Sequence, residues 1–134
     1  MILVDSCVLI DVFDDESSWC DWSRRQLDAW SDRGPLLINP VIYAELATDF
    51  GTIELLDAVV DRAQLELREL PREALFEAGH AHLRYRHRGG TQAGVLSDFF
   101  IGAHASVLKI PVLTRDTARY EAYFNNLRQV APAC

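Results

Sequence analysis

The sequence predicts an α/β protein, a three-layer α/β/α sandwich built on a mostly parallel sheet of four to five strands. Short apolar runs alternate along the chain with amphipathic segments, which is the order of a parallel sheet covered by helices. The runs are apolar throughout, as is typical of strands buried on both faces. With 134 residues, 49% of them hydrophobic, the chain has the size of one domain, which we expect to span residues 1–134.

Five apolar runs are predicted as strands. The first ends directly at Asp5, and the second is followed by Asn39-Pro40, which would stop a strand and start a helix. The third alternates in polarity, and the fifth has the weakest pattern. In chain order the predicted strands are residues 2–4, 36–38, 65–67, 111–114 and 127–130.

Helices are predicted between these strands from turn and capping residues. Gly34-Pro35 ends one helix, Asn39 caps the next with Pro40 in its first turn, and Gly89-Gly90 ends the helix that Pro71 opens. The helix that Ser97-Asp98 would start is apolar on most sides, which predicts that it is buried. The predicted helices cover residues 8–13, 19–33, a segment after residue 40, 53–62, 71–85, 99–108 and 117–126.

The formal charge of −7 argues against a nucleic-acid partner, because proteins that bind polyanions usually carry a basic surface. Setting aside four carboxylates as metal ligands leaves 16 acidic against 13 basic residues, a net charge of −3. Bound divalent cations would reduce this charge further. The charge therefore remains an objection to a nucleic-acid partner, but a weaker one than the formal value indicates.

The chain shows no sign of secretion or membrane insertion. It begins with an apolar run and an acid instead of the basic and long apolar regions of a signal peptide. Its uncharged stretches fall short of the roughly 18 residues that a membrane span needs. The odd number of cysteines, Cys7, Cys20 and Cys134, has no metal-like or redox-like spacing. We expect a cytoplasmic protein with reduced thiols.

Four acidic residues stand out by position. Asp5 follows the first strand directly, and Asp116 comes three residues after Leu113 in the fourth. Glu45 lies in an apolar helical segment, where an unpaired carboxylate is costly. Asp98 begins the most apolar helix of the chain. Because ligand sites in parallel sheets lie beyond the carboxyl ends of the strands, acids that follow strands are candidates for function.

A convergent set of carboxylates predicts a divalent metal, because the charges repel one another unless protons or cations neutralise them. Oxygen ligands of this kind suit Mg²⁺, and Mn²⁺ as its substitute. Structural interpretations stay open for three of the acids. Asp98 and Asp116 could stabilise helix N-termini, and Glu45 could be a half-exposed helical residue. For Asp5, at the end of a buried strand, no such interpretation applies.

These residues resemble the PIN-domain ribonucleases and, within that family, the VapC-like toxins of type II toxin-antitoxin (VapBC) modules. The resemblance covers nearly the whole chain. Each motif alone is weak, but four in the same order over a similar length are specific. The motifs are residues 1–6 (MILVDS) with 8–11 (VLID), 39–41 (NPV) leading to 44–46 (AEL), 97–98 (SD) with 101–105 (IGAHA), and 112–116 (VLTRD).

The resemblance implies a Mg²⁺-dependent endoribonuclease. Asp5, Asp98 and Asp116 are similar to metal-binding carboxylates, and Glu45 is similar to the acid that completes the site and orients the attacking water. In this mechanism one or two Mg²⁺ ions bind the scissile phosphate and activate a water, and the product carries a 5′-phosphate.

The resemblance also implies roles for residues beside these acids. Ser6 and Thr114 are similar to hydroxyls that support the acidic cluster. Cys7 departs from the small polar residue that is usual at its position. For Arg115 two interpretations stay open, contact with phosphate and exposure to solvent.

The densest basic stretch is residues 80–90 (HAHLRYRHRGG), with Arg84, Arg86 and Arg88. One interpretation is a phosphate-contacting edge on which Tyr85 stacks an exposed base of the RNA substrate. The other is a solvated helix end whose cations offset the helix dipole. The sequence does not separate the two.

Three tryptophans in one predicted helix, Trp19, Trp22 and Trp30, suggest a protein partner. Core packing accounts for at least one of them. An exposed remainder could bind the cognate antitoxin or a second copy of the chain in a homodimer, as the resemblance implies.

Two other functions remain in view. One is a PIN-type nuclease that processes RNA or cuts DNA outside a toxin module, because the acids alone do not distinguish substrates. The other is a non-catalytic α/β regulatory module such as a receiver domain. The sequence disfavours this second function, because no acid directly follows the third strand and Asp98 and Asp116 would then be unexplained.

Overall fold

A computed structural model describes residues 1–14, 16–92 and 94–132 of the chain. Within these ranges helices and strands alternate, and no helix there is long and apolar enough to cross a bilayer. The strands are β1 Ile2–Val4, β2 Leu36–Ile38, β3 Leu65–Leu67, β4 Val112–Leu113 and β5 Gln129–Val130. The helices are α1 Ser6–Phe13, α2 Cys20–Ser31, α3 Pro40–Ala47, α4 Ile53–Arg62, α5 Arg72–His87, α6 Val95–Leu108 and α7 Ala118–Tyr123.

The strands form one sheet in the order β3-β2-β1-β4-β5, and each neighbouring pair is parallel. With helices on both faces, this is the predicted three-layer α/β/α fold. The chain runs from β1 outward to β3 and then returns to β4 on the other side of β1. A crevice forms at such a reversal because the connections leave the ends of β1 and β4 in opposite directions. The fold therefore opens a site beyond the carboxyl ends of these two strands.

The central strands are completely buried, which explains why their sequences are apolar without alternation. Every residue of β1 and β4 has 0% exposed surface, and so does His104 in the middle of α6. The His104 Nδ1 atom lies 3.1 Å from Nδ2 of Asn39, whose Oδ1 accepts the Ile42 N–H (2.9 Å). Asn39 is thus the N-cap that the sequence predicts for α3. Burial lowers the pKa of His104, so this side chain is a neutral core residue that helps to anchor α3.

α7 packs tightly on α6 because position 102 has no side chain. A Cβ atom at Gly102 would lie 2.5 Å from the ring of Phe124 and 3.0 Å from the ring of Tyr120. Contacts this short are not tolerated in a packed core. Glycine therefore permits α7 to place the buried Tyr120 beside the end of β1.

The start of α6 differs from the prediction. The helix begins at Val95 instead of at Ser97-Asp98, and its N-cap is Gly94 with φ +81°. No side chain caps this end, so the capping signals sought in the sequence were absent, and glycine instead supplies the left-handed turn. Asp98 consequently lies in the first turn of α6, three residues after Val95.

The tryptophans are divided between core and surface. Trp30 is 7% exposed and belongs to the core, Trp22 is partly buried, and Trp19 precedes α2 and is 37% exposed. The expectation that at least one packs in the core is confirmed. The guanidinium of Arg115 lies 5.4 Å from the Trp19 ring centroid, so an intramolecular contact covers part of that ring.

Candidate active site

The four acids singled out in the sequence line one small cavity at the reversal of the sheet. Asp5 follows β1, Asp116 follows β4, Glu45 comes from α3 and Asp98 from α6. The cavity has a volume of about 110 Å³. Its remaining lining consists of Ser6, Cys7, Arg119 and Tyr120. Residues up to 115 positions apart in the chain are therefore neighbours here.

Asp5 is the most rigidly held of the four acids. Its side chain is 6% exposed, and its Oδ2 atom accepts hydrogen bonds from Thr114 Oγ1 and from the Tyr120 hydroxyl, both at 2.8 Å. Burial raises the pKa of Asp5, and the nearby charge of Asp98 raises it further. Burial and the charge of Asp5 raise the pKa of Tyr120 well above its ordinary value, so this hydroxyl remains a donor.

Thr114 connects the loop after β4 to the end of β1. While its Oγ1 donates to Asp5, the same atom accepts the backbone N–H of Asp116 at 3.0 Å. On the other side of the cavity the Ser6 hydroxyl donates to Oε1 of Glu45 at 3.2 Å. Both hydroxyls therefore contact acids of the cluster.

Cys7 lies in the wall of the cavity as a thiol. Its Sγ atom is 3.7 Å from Thr114 Oγ1, and burial raises the pKa of the thiol to about 11. A protonated thiol is a poor ligand for a hard cation. Cys7 and Cys20 are free cysteines, and Cys134 lies outside the described residues.

Glu45 and Asp98 are half-buried and affected by the neighbouring charges. Burial raises the pKa of Glu45, and the charges of Asp5 and Asp98 add to that effect. Burial also raises the pKa of Asp98, which Arg119 opposes. The pKa values of both acids are raised mainly by burial and further by neighbouring carboxylates, so a cation bound among these acids would favour their charged forms.

Arg119, like Tyr120, lines this cavity and was missed by sequence reasoning. Its Nη1 atom donates to Oδ2 of Asp98 at 2.7 Å, and its Nη2 atom donates to Oε1 of Gln92, also at 2.7 Å. The side chains of Arg119 and Asp98 are 22% and 28% exposed. No spacing rule within one element identifies Arg119, because its partner Asp98 lies on another helix, 21 positions earlier in the chain.

The cavity fits a hard divalent cation in its chemistry. The four carboxylates offer only oxygen donors, as Mg²⁺ and Mn²⁺ prefer. In the described part of the chain, however, no three acidic, histidine or cysteine side chains stand close enough together to coordinate one ion. Asp98 instead makes its ion pair with Arg119. Asp5, Glu45, Asp98 and Asp116 would therefore hold a metal only after small side-chain movements.

Arg115 belongs to a structural network and does not face solvent freely. Its guanidinium forms two hydrogen bonds with Asp11, one of them Nη2 to Oδ1 at 2.9 Å. Asp11 is 3% exposed and also accepts the hydroxyls of Ser17 and Ser23, each at 3.0 Å. The ion pair fixes the loop that carries Asp116 against α1. A phosphate contact by Arg115 would require breaking it.

The basic stretch, residues 80–90, contains both exposed and packed side chains. Arg84, Arg86 and Arg88 are exposed, whereas the Tyr85 ring packs against the Phe99 ring, 5.8 Å between centroids. The Tyr85 hydroxyl accepts the backbone N–H of Gln92 at 2.9 Å. Tyr85 is therefore held in place by intramolecular contacts.

The family model for the PIN domain matches residues 2–125. No curated protein matches the chain by sequence. Among solved structures, VapBC2 from Rickettsia felis bound to a DNA fragment from its promoter is similar, with a TM-score of 0.75 and 15% identity, and the alignment covers 99% of this chain and 100% of that chain.

Two further structures are similar over nearly the full length. A toxin-antitoxin complex from Klebsiella pneumoniae has a TM-score of 0.70 and 19% identity, with 99% of this chain and 98% of that chain covered. VapC20 from Mycobacterium tuberculosis, a sarcin-ricin loop cleaving toxin, has a TM-score of 0.65 and 15% identity, with 96% and 99% covered. These structures share the fold, and the family model spans β1 to β4, the seven helices of the described residues and all four acids. The chain belongs to the PIN domain family.

Proposed function

We propose that this chain is a metal-dependent endoribonuclease, that residues 1–134 form its single nuclease domain, and that it acts as the toxin of a type II toxin-antitoxin system. The observation that carries the proposal is the convergence of Asp5, Glu45, Asp98 and Asp116 on one cavity of a PIN-domain fold. A purely structural role does not explain four acids in one cavity, because their mutual repulsion destabilises the folded state.

Asp5 and Glu45, with the hydroxyls that contact them, have separate parts in the proposed reaction. A bound Mg²⁺ would supply positive charge to the scissile phosphate and make a water more acidic. The hydrogen bonds from Thr114 and Tyr120 fix the orientation of the Asp5 carboxylate, which would be a ligand of the metal. Glu45 accepts the proton of the attacking water, because its raised pKa brings it closer to neutral pH and Ser6 orients its Oε1 atom.

We expect the purified chain to cleave RNA in Mg²⁺ or Mn²⁺, to stop in EDTA, and to lose about 100-fold or more of its rate in Asp98→Asn. The amide keeps the shape of the side chain but removes a ligand charge. Cleavage is measured on labelled RNA, with mapping of the new 5′ ends. The matched control is Asp61→Asn on the exposed surface of α4. Equal rates in wild type and Asp98→Asn would contradict the proposal.

A large groove supports a polypeptide partner. It has a volume of about 850 Å³ and lies among α1, α4 and the segment after α3, with a mostly apolar lining that includes Phe13, Phe50, Val59 and Ala63. The rings of Phe13 and Phe50 meet edge to face, 5.9 Å apart. Grooves of this kind receive the apolar face of a peptide helix. An antitoxin is the proposed occupant, because similar folds occur in toxin-antitoxin complexes.

Expression in a bacterial host separates a toxin from a nuclease that processes RNA. Induction of the wild type is expected to arrest growth, Asp98→Asn to relieve the arrest, and a small protein encoded beside the gene to restore growth. Ala63→Arg, which obstructs the groove without touching the acids, is expected to remain toxic in the presence of that small protein. Cleavage without growth arrest would favour the RNA-processing alternative.

A further inference from the structure

A second cavity adjoins the acidic one. Its volume is about 250 Å³, and it shares Asp116 and Arg119 with the acidic cavity. The other lining residues are Tyr85, Ala118, Ala122 and Tyr123. A molecule that occupies this cavity therefore touches one of the four acids, Asp116, and the arginine that pairs with another, Asp98.

The walls of this cavity combine aromatic rings with cations. The ring centroids of Tyr85 and Tyr123 are 6.3 Å apart at 69°. The guanidinium of Arg119 lies 5.7 Å from the Tyr85 ring centroid, and that of Arg88 lies 5.2 Å from the Tyr123 ring centroid. Aromatic rings and guanidinium groups stack on nucleobases, and guanidinium groups also bind phosphate. In a chain of net charge −7, this grouping of two guanidinium groups and two aromatic rings beside the acids is distinctive.

Small side chains keep this cavity open. Ala118 and Ala122 are exposed and one helical turn apart on α7, so both methyl groups face the same side. Larger residues at either position would fill part of the cavity that these alanines line with Tyr85 and Tyr123. The open floor leaves room for a flat ring.

The walls are also fixed before any ligand arrives. Both tyrosine rings pack on Phe99, which is 0% exposed, with centroid distances of 5.8 Å for Tyr85 and 5.0 Å for Tyr123. The bond from Gln92 N–H holds the Tyr85 hydroxyl. A preformed wall reduces the entropy that a ligand must lose on binding.

We propose that this second cavity is a nucleotide subsite that holds the unstacked base of the residue next to the scissile phosphate. The proposal rests on the proposed nuclease function. It implies that the substrate is single-stranded at the cut, in a loop or an open strand, because a paired base cannot enter the cavity.

The test combines a cavity-filling variant with RNA that lacks one base. Single-turnover cleavage is measured on a short RNA with a mapped cut, and on copies with an abasic residue on either side of that cut. For wild type we expect one of the two abasic RNAs to be cleaved about tenfold more slowly. Ala122→Leu is expected to slow cleavage of the intact RNA by a similar factor and to be insensitive to the same abasic position, since both changes remove one interaction.

The control is Ala58→Leu, the same change at an exposed helical position of α4 outside the cavity, which should behave as wild type. Additive effects of Ala122→Leu and the abasic residue, or no effect of Ala122→Leu, would overturn the subsite. Absence of cleavage of every RNA by the wild type would instead overturn the nuclease function, so the two failures are distinguishable.

Discussion

Asp5→Asn is expected to reduce metal-dependent cleavage by about 100-fold or more, equivalent to roughly 2.7 kcal/mol in the barrier, while making the metal-free protein more stable. The amide oxygen can accept the bonds from Thr114 and Tyr120 that now reach Oδ2, so the packing is preserved. What disappears is a negative charge that is 6% exposed and faces the charge of Asp98. The same charge that costs stability is the ligand that the reaction needs.

The stability gained by Asp5→Asn depends on pH in a direction set by the pKa shift of Asp5. Folding raises the pKa of Asp5 above its ordinary value of 3.8, so the folded state binds the proton more tightly than the unfolded state. The contribution of Asp5 to stability is therefore fully present at a pH below its ordinary pKa. It is lost as the pH rises through the pKa that Asp5 has in the folded state. The advantage of Asp5→Asn should grow from acidic to neutral pH. His104, whose pKa is lowered, has the opposite dependence, but it is the same in both proteins and cancels.

Urea denaturation in EDTA across this pH range measures the effect. The matched control is Asp11→Asn, also at a buried aspartate, 3% exposed. Asp11 is paired with Arg115, so its replacement leaves a partly buried guanidinium without its counter-charge and should lower stability. Loss of stability in Asp5→Asn at neutral pH would show that the Asp5 carboxylate stabilises the fold and is not held there against repulsion.

The parts of the fold that follow from local sequence were predicted well. β1 and β2 match the predicted strands, because each is a buried apolar run that ends at a clear signal, Asp5 in one case and Asn39-Pro40 in the other. The position of an acid after β1 and another after β4 was enough to suggest a shared edge. The order of the strands was not predicted. It depends on which side of β1 the chain returns to, and no single residue encodes that choice.

The parts of the site that depend on distant contacts were missed or left open. Tyr120 reaches Asp5 across 115 positions, and Arg119 reaches Asp98 across 21, so spacing rules within one element do not reveal them. For Arg115 and Tyr85 the sequence left two interpretations open, with and without a ligand contact, although both side chains are of types that bind phosphates or bases. In the structure each has an intramolecular partner, which a local pattern does not specify.

Arg119→Gln is expected to change metal binding and cleavage in opposite directions. In the structure the Arg119 guanidinium lies 2.7 Å from the Asp98 carboxylate and thus acts as its counter-ion. A divalent cation that uses Asp98 must displace it. Removal of this competitor should tighten the binding of Mg²⁺ or Mn²⁺ to the RNA-free protein by about fivefold, equivalent to roughly 1 kcal/mol for a partly exposed ion pair.

The same change should slow RNA cleavage by about tenfold or more. The guanidinium of Arg119, which lies between the acidic cavity and the second cavity, would no longer offset the negative charge of the phosphate. Calorimetry on the RNA-free protein at neutral to slightly basic pH measures metal binding without activity, under conditions in which a proton on Asp98 does not compete. Arg25→Gln on the exposed surface of α2 removes the same charge elsewhere and should change neither quantity. Weaker metal binding in Arg119→Gln would show that the arginine positions Asp98 as a ligand instead of competing for it. The opposite signs of the two effects distinguish a displaceable counter-ion from a structural ion pair, because a purely structural pair would weaken both metal binding and cleavage when broken.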